Sequence, residues 1–274
     1  MQIGLRFDID SVIDATIGLE NLLKILEEYS AKATIFVNMG KSISRKILIK
    51  RIGRKKNNVG GGEQIFKIGV TKKLGPKGVL KTIIFNPVIA KMVKKYTNRI
   101  NELNIELGVH GGRNHAEWQH FGKNFTLEKA ESEIEWSTNN FRKIFGFSPQ
   151  GFSAPRFVVP NGLESILKKF GYRYHSDICE VNNIIKNELP NIPVNVVGKH
   201  TVPILEWYAA QGIDCKDASR RAVRKAEEIA KNGGVPVFYG HPSVEGKLIS
   251  DYFIQFLKDS ANKGFKFVSL GELI

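Results

Sequence analysis

Short apolar runs alternate with amphipathic segments along most of the chain. Strand-like runs rich in β-branched and aromatic residues cover residues 3–8, 33–37, 105–110, 151–155, 172–177, 235–241 and 265–269. Apolar residues at helical spacing follow the first run, at Leu19, Leu22, Leu23 and Leu26, and recur over 126–145, 163–170, 218–231 and 250–261. Repeated strand-then-helix units of this length favour an α/β fold with a parallel sheet and outer helices, either open or closed into a barrel.

Residues that can bind metals or move protons stand at the ends of these predicted strands. Asp8 and Asp10 close the first run, His110 and His115 follow the third, and His241 ends a later one. The carboxyl ends of parallel strands are where α/β sheets and barrels build their active sites. We therefore expect these five side chains to meet at one end of the sheet.

The spacing of Asp8 and Asp10 restricts the chemistry. Side chains two residues apart on a strand point to the same side, so the two carboxylates form a concentration of like charge. Such a pair needs a cation or a shared proton, which predicts either a metal site or an acid–base site. One carboxylate and two histidines would leave metal positions open for water and substrate, as in catalytic sites. A second carboxylate and a further histidine could then move protons, which indicates a metal-dependent hydrolase.

The basic residues are concentrated in one segment. The chain has a net charge of +14, and residues 41–100 hold 17 Lys or Arg residues against one acid, Glu63, whereas the remainder has 24 basic and 26 acidic residues. Most charge runs are solvated surfaces, but a nearly acid-free stretch of this length favours an anionic partner. Nucleic acid and an anionic membrane surface are both candidates, although the segment lacks the interleaved aromatics of a base-stacking surface, which disfavours nucleic acid.

The same segment interrupts the strand–helix rhythm. Gly60-Gly61-Gly62 and Gly75-Pro76 punctuate it, residues 43–52 mix aliphatic with basic residues, and apolar residues return over 79–92. A basic amphipathic stretch is typical of an interfacial membrane element, and an ordinary helical excursion packed on the barrel is the alternative. We predict a single catalytic domain over 1–274 with a basic insertion at about 41–100.

The composition fits a cytoplasmic protein. Cys179 and Cys215 are too few and too far apart for a disulfide framework or a cysteine-based zinc site. The two early carboxylates are incompatible with the apolar core of a signal peptide, and no apolar stretch reaches the roughly 20 residues that span a bilayer. We expect a cytoplasmic protein, with peripheral attachment to the inner face of the membrane if the basic segment binds lipid.

Several motifs, taken in order, resemble those of NodB-type polysaccharide deacetylases. The likeness is carried by the opening Phe-Asp-Ile-Asp, by His110 with His115, by Ala-Pro-Arg-Phe at 154–157 and by Gly240-His241. Within that family the chain is similar to the 4-deoxy-4-formamido-L-arabinose-phosphoundecaprenol deformylases. Residues 4–10 look like their opening Gly-Leu-Arg-Ile-Asp-Val-Asp, and the blocks at 173–177 and 241–246 look like later motifs. The likeness is weakest over 41–100.

The resemblance implies a distorted, seven-stranded (β/α) barrel and hydrolysis of an N-acyl group, acetyl or formyl, on a sugar that is carried by a polyprenyl phosphate. Asp8 matches the family's general base, and His241 matches its general acid. Asp10 and His110 match metal ligands, and His115 supplies the remaining imidazole. The implied cofactor is one divalent metal ion, with zinc first among the first-row metals.

Two positions depart from the family pattern. The second metal histidine usually stands four residues after the first, where this chain has Asn114, so His115 requires a bulged chain or an altered site. The arginine of the family's Arg-x-Pro motif falls at Ser153, and Arg156 is a nearby alternative. We assign substrate binding to residues in or beside the motifs: Arg113, Trp118, Arg156 and Asp177. Packing is the alternative role for Trp118, and a supporting or surface position is the alternative for Asp177.

Two functions from different classes follow. The first is a metal-dependent amide hydrolase acting on an N-acylated sugar, with the basic segment attracting an anionic lipid surface. The second is a non-catalytic protein that binds membranes or polyanions on a degenerate deacetylase fold, which the substitutions at Asn114 and Ser153 favour. Metal content distinguishes the two hypotheses.

Overall fold

A computed structural model of the protein describes residues 1–44, residue 68 and residues 85–274. Its strands are β1 (Gln2–Ile9), β2 (Thr34–Asn38), β3 (Glu106–His110), β4 (Gly151–Ser153), β5 (Tyr174–Cys179), β6 (Ile185–Lys186), β7 (Pro190–Val194), β8 (Val237–Gly240) and β9 (Lys266–Val268). Its α-helices are α1 (Leu19–Glu28), α2 (Ile89–Val93), α3 (Thr97–Glu102), α4 (His115–Phe121), α5 (Leu127–Phe145), α6 (Leu163–Lys169), α7 (Ile204–Ala210), α8 (Cys215–Lys231) and α9 (Ser250–Asn262). Residues 45–52 of the amphipathic run at 43–52 and residues 79–84 of the apolar stretch at 79–92 lie outside the described residues.

The strands form one curled sheet. Seven of them run parallel in the order β7-β5-β4-β3-β2-β1-β8, while β6 pairs antiparallel with β7 and β9 pairs with the start of β1. Just beyond β7, Val196 forms a parallel bridge with Phe238 on β8, which joins the two ends of the seven-stranded series at one point. This arrangement confirms the predicted distorted (β/α) barrel.

Strand β1 lies between β2 and β8 in this sheet and is covered on both faces. Residues 3–9 are all buried, as the near-continuous apolar run of an internal parallel strand requires. On the outer face, Phe7 packs edge-on against Phe253 of α9, with 5.4 Å between the ring centroids. The alternate residues Arg6 and Asp8 therefore point into the barrel.

Local sequence signals define both ends of the longest helix, α5. Thr126 caps α5 by accepting a hydrogen bond from the backbone N–H of Lys129, and Gly146 ends it in the left-handed conformation with φ 86°. Buried residues at helical spacing then hold this helix on the sheet, among them Ile134 and Phe141. No helix within the described ranges is both long and apolar enough to cross a bilayer.

Some elements have no clear signal in the sequence. Strand β7 carries Pro190 and Pro193, which cannot donate to a sheet ladder, so its five residues do not resemble a central strand. Helix α4 is only seven residues long and α7 is of equal length, which is too short for a reliable helical pattern. These elements form because neighbouring elements pack against them.

Candidate active site

Three predicted metal ligands meet at the carboxyl end of the sheet. Asp10 follows β1, His110 ends β3, and His115 begins α4. Asp10 Oδ1 lies 3.2 Å from His110 Nε2 and 3.1 Å from His115 Nε2. Burial opposes the charge of Asp10, but the nearby imidazoles of His115 and His110 hold its pKa well below the usual range. The cluster thus presents an ionised carboxylate between two imidazoles.

Ser153 orients the ring of His110 from the side away from Asp10. Its Nδ1 lies 2.7 Å from Ser153 Oγ at the end of β4, which leaves Nε2 directed at Asp10. A hydrogen bond on the far ring nitrogen fixes the ring and its tautomer, as supporting groups do for histidines that ligate metals. Burial lowers the pKa of His110, but the neighbouring Asp8 and Asp10 carboxylates raise it more, so the net shift is upward. Ser153, at the position of the family's arginine, therefore supports the imidazole of His110, a predicted metal ligand, in this chain.

The loop after β3 explains how His115 replaces Asn114 in the site. The backbone N–H of Lys41 donates to Arg113 O, and that of His115 donates to Lys41 O, so the loop is held against the end of β2. Gly40 permits this approach, because a Cβ there would lie 1.9 Å from Arg113 O. Asn114 is turned to cap α4 by accepting from the N–H of Glu117. This loop conformation places His115 Nε2, and not the Asn114 side chain, beside Asp10.

The cluster fits a divalent metal ion. Its three ligand atoms lie within 4.8 Å of one another, and Asp10 Oδ1 and His115 Nε2 are buried without a hydrogen-bond partner among the described residues. Two ligands bound to one ion at about 2.0–2.1 Å in a tetrahedral arrangement lie about 3.3 Å apart, close to the observed separations. Imidazole and carboxylate suit zinc and its first-row neighbours. A set of three protein ligands leaves a position for substrate or water.

Asp8 lies beside this cluster and is held by Arg6. The guanidinium donates through Nε to Asp8 Oδ1 at 2.9 Å and through Nη2 to Asp8 Oδ2 at 2.7 Å. Its Nη1 donates to both the carbonyl and the hydroxyl of Ser176 on β5. Burial alone would lower the pKa of Arg6. The charge of Asp8 and its hydrogen bonds outweigh burial, so the pKa of Arg6 lies above its ordinary value. Asp8 Oδ2 is 3.8 Å from His110 Nε2, so the carboxylate borders the metal ligands.

Arg6 is a residue of the candidate site that the sequence analysis did not select. Three aromatic rings surround its guanidinium, those of Phe36 and Phe157 at 5.0 Å and that of Tyr239 at 5.3 Å from the ring centroids. The available signal was an arginine inside an apolar strand, two residues before Asp8 and hence on the same face. A buried arginine requires an anionic partner, and Asp8 was the nearest candidate.

His241 approaches the cluster from β8. Its backbone N–H donates to Glu245 Oε2 at 2.7 Å, while its Nε2 lies 3.7 Å from Asp10 Oδ2. The hydroxyl of Tyr239 is 3.1 Å from the same nitrogen. Sequence reasoning did not single out Glu245 or Tyr239 for these contacts, because both depend on how the chain turns after β8.

The residues predicted to bind substrate lie in different surroundings. Trp118 is buried, donates its indole N–H to Val158 O at 2.9 Å and packs edge-on against Phe125, so its contacts are those of packing. Arg113 pairs with Glu133 at 2.9 Å. The structure does not bring either side chain to the metal-ligand cluster, and these contacts do not favour the predicted roles.

Asp177 and Arg156 are both connected with the loop that follows β4: Arg156 lies in that loop, and Asp177 lies on β5 beside it. Asp177 accepts a hydrogen bond from the backbone N–H of Ala154 and lies 3.0 Å from His175 Nδ1, which makes it a support of that loop. Arg156 is exposed and has a left-handed backbone with φ 57°, and the next residue, Phe157, places its ring over Arg6. A role of Arg156 in substrate binding stays a prediction.

Comparisons with known proteins agree with this geometry. The family model described as polysaccharide deacetylase matches residues 2–175. The probable 4-deoxy-4-formamido-L-arabinose-phosphoundecaprenol deformylase of Shewanella sediminis is 23% identical over 285 residues, covering 100% of this chain and 86% of that protein.

Two solved structures share the fold. A putative polysaccharide deacetylase from Mycobacterium smegmatis superimposes with a TM-score of 0.62 at 13% identity, over 99% of this chain and 88% of that one. A family 4 acetyl xylan esterase from Clostridium thermocellum, in complex with a cobalt ion, gives a TM-score of 0.51 at 13% identity, over 100% of this chain and 90% of that one.

Proposed function

The chain belongs to the polysaccharide deacetylase family, and from this premise we propose that it is a metal-dependent deformylase or deacetylase of a lipid-linked N-acylated sugar. The observation that carries the proposal is the cluster of Asp10, His110 and His115 with Asp8 and His241 beside it. This set supplies metal ligands, a proton acceptor and a proton donor within one site.

Asp10, His110 and His115 would hold the ion. A divalent metal ion there supplies a Lewis acid that polarises the amide carbonyl and the attacking water. The chain's own residues provide the rest of the chemistry. Ser153 fixes the ring of His110, and the loop held at Lys41 keeps His115 in place.

The proton transfers are assigned to Asp8 and His241. Asp8 accepts a proton as water attacks the acyl carbon, and Arg6 keeps that carboxylate oriented through two charge-assisted hydrogen bonds. His241 then donates a proton to the sugar nitrogen as the carbon–nitrogen bond breaks. The products are the free amine on the sugar and formate or acetate.

The lipid-linked sugar is supported by two independent features. The Shewanella relative is named for a substrate on phosphoundecaprenol, and residues 41–100 of this chain hold 17 basic residues against one acid. Lys and Arg near an anionic lipid surface contribute about 1 kcal/mol of attraction each. The chain would then bind the membrane surface peripherally and take its substrate there. A formyl group and an acetyl group differ by one methyl, which pocket shape distinguishes by only about 1–3 kcal/mol.

The test uses purified protein reconstituted with zinc or cobalt. It is incubated with undecaprenyl-phosphate-linked 4-formamido-4-deoxyarabinose and, separately, with an N-acetylglucosamine pentamer, and the released formate or acetate is measured. Release that a chelator abolishes and metal restores supports the proposal, and a preference for the lipid-linked substrate supports its finer part. Metal binding without release from either amide would contradict it and favour a non-catalytic binding protein.

A further inference from the structure

Tyr239 connects the two sides of the candidate site. Its hydroxyl lies 3.1 Å from His241 Nε2, and its ring lies under the guanidinium of Arg6 at 5.3 Å. The ring also packs edge-on against Phe157 at 5.6 Å and is buried. One side chain therefore contacts both the predicted acid and the arginine that holds the predicted base.

The hydroxyl of Tyr239 keeps its proton. Burial of the phenol, together with the charges of Asp8 and Asp10, raises its pKa well above the ordinary value. A neutral phenol can both donate and accept a hydrogen bond. It can therefore accept from an N–H at His241 Nε2, or donate to the lone pair of the same nitrogen after that proton has left.

His241 has little else to fix its ring. Its Nδ1 is buried and has no hydrogen-bond partner within the described part of the chain. Glu245 accepts a hydrogen bond from the backbone N–H of His241. The Tyr239 hydroxyl is thus the group that can orient Nε2, because the 3.7 Å separation from Asp10 Oδ2 exceeds a hydrogen bond.

We propose that Tyr239 is a positioning residue, whose hydroxyl holds the His241 imidazole at Nε2 until the proton on that nitrogen passes to the departing amine. This inference rests on the proposed amide hydrolysis. The carbon–nitrogen bond breaks while the sugar nitrogen takes the proton from Nε2. The phenol retains its own proton throughout and changes from acceptor to donor at Nε2. It thereby stabilises the imidazole both before and after the transfer.

The substitution Tyr239→Phe isolates the hydroxyl, since the ring contacts with Arg6 and Phe157 stay. Tyr172→Phe is the matched control, because it also removes a buried hydroxyl, one that lies 2.8 Å from Thr138 Oγ and away from the cluster. Both variants are assayed with the amide that wild type hydrolyses and with 4-nitrophenyl acetate. The nitrophenolate of the ester leaves without needing a proton, whereas the amine does not.

We expect Tyr239→Phe to lower kcat on the amide by about tenfold or more, part of the 10²–10⁴-fold that a general acid contributes, with KM changed less than about twofold. Ester hydrolysis should change by less than about twofold, and Tyr172→Phe should change neither rate. Equal losses on amide and ester, or no loss on the amide, would overturn the assignment.

A second measurement does not depend on activity. The ¹⁵N imidazole signals of His241 report which ring nitrogen carries the proton, and Tyr239→Phe should shift the Nε2 signal, whereas Tyr172→Phe should not. An unchanged signal in Tyr239→Phe would show that the phenol does not control the ring. If wild type hydrolysed neither substrate, the proposed function would fail. The spectrum would still show whether the Tyr239 hydroxyl contacts the His241 imidazole.

Discussion

Removal of the Arg6 guanidinium tests the centre of the site. In Arg6→Met the aliphatic stem is retained, but the buried Asp8 carboxylate loses both hydrogen bonds, of 2.9 and 2.7 Å, and its counter-charge. Removing one partner of a buried ion pair costs about 3–5 kcal/mol, because the other charge stays buried without compensation. We therefore expect the free energy of unfolding to fall by about 3–5 kcal/mol, measured by urea denaturation followed by circular dichroism.

Arg99→Met is the matched control for this prediction. Arg99 pairs with Glu27 at 2.6 Å, as close as the pair in the site, but the two side chains are 33% and 56% exposed. An exposed pair contributes about 0–1 kcal/mol, so this variant should be almost as stable as wild type. If Arg6→Met lost no more than Arg99→Met, the account of Asp8 as a carboxylate held by Arg6 would be wrong.

A double substitution separates the pair from other effects of Arg6. Asp8→Asn removes the negative charge, so Arg6→Met on that background no longer leaves an unpaired carboxylate. The double variant should be more stable than the sum of the single losses predicts, by a coupling free energy of about 2–3 kcal/mol, at the upper end for residues in contact. Additive losses would indicate that the guanidinium acts mainly through Ser176 and the aromatic rings.

Three further predictions concern the metal, the base and the membrane. His115→Ala should lose most of the bound metal in elemental analysis. Asn114→Ala should retain it, because the Asn114 side chain caps α4 and donates to Ile43 O away from the cluster. Equal metal content in the two variants would contradict the ligand assignment. Asp8→Asn should keep its metal but lose turnover by about 10²–10⁴-fold, and near wild-type rates of formate or acetate release would remove Asp8 as the base. Replacing the basic residues of 41–100 by Gln should weaken the salt-sensitive sedimentation of the protein with anionic liposomes, and it should spare hydrolysis of the N-acetylglucosamine pentamer. Unchanged liposome binding would show that these residues do not bind the membrane.

The sequence by itself determined the parts of this protein that depend on neighbouring residues. Strand β1 could be read from its apolar run, and the two-residue spacing placed Asp8 and Asp10 on one side of it. The long helices followed from the spacing of their apolar residues. Placing the histidines at strand ends was enough to predict the cluster of Asp10 and His110, because parallel strands bring their carboxyl ends to one edge.

Only the tertiary structure decided the contacts between distant segments. His115, and not Asn114, reaches the cluster because the loop rests on Lys41, 74 positions earlier in the chain. Arg6 pairs with Asp8 where three aromatic rings from distant parts of the chain surround its guanidinium. Tyr239 contacts His241 only because the chain turns sharply after β8. Local sequence patterns determine on which face of a strand or helix a side chain lies. Its partner across the barrel depends on how distant segments pack together, which no short segment determines.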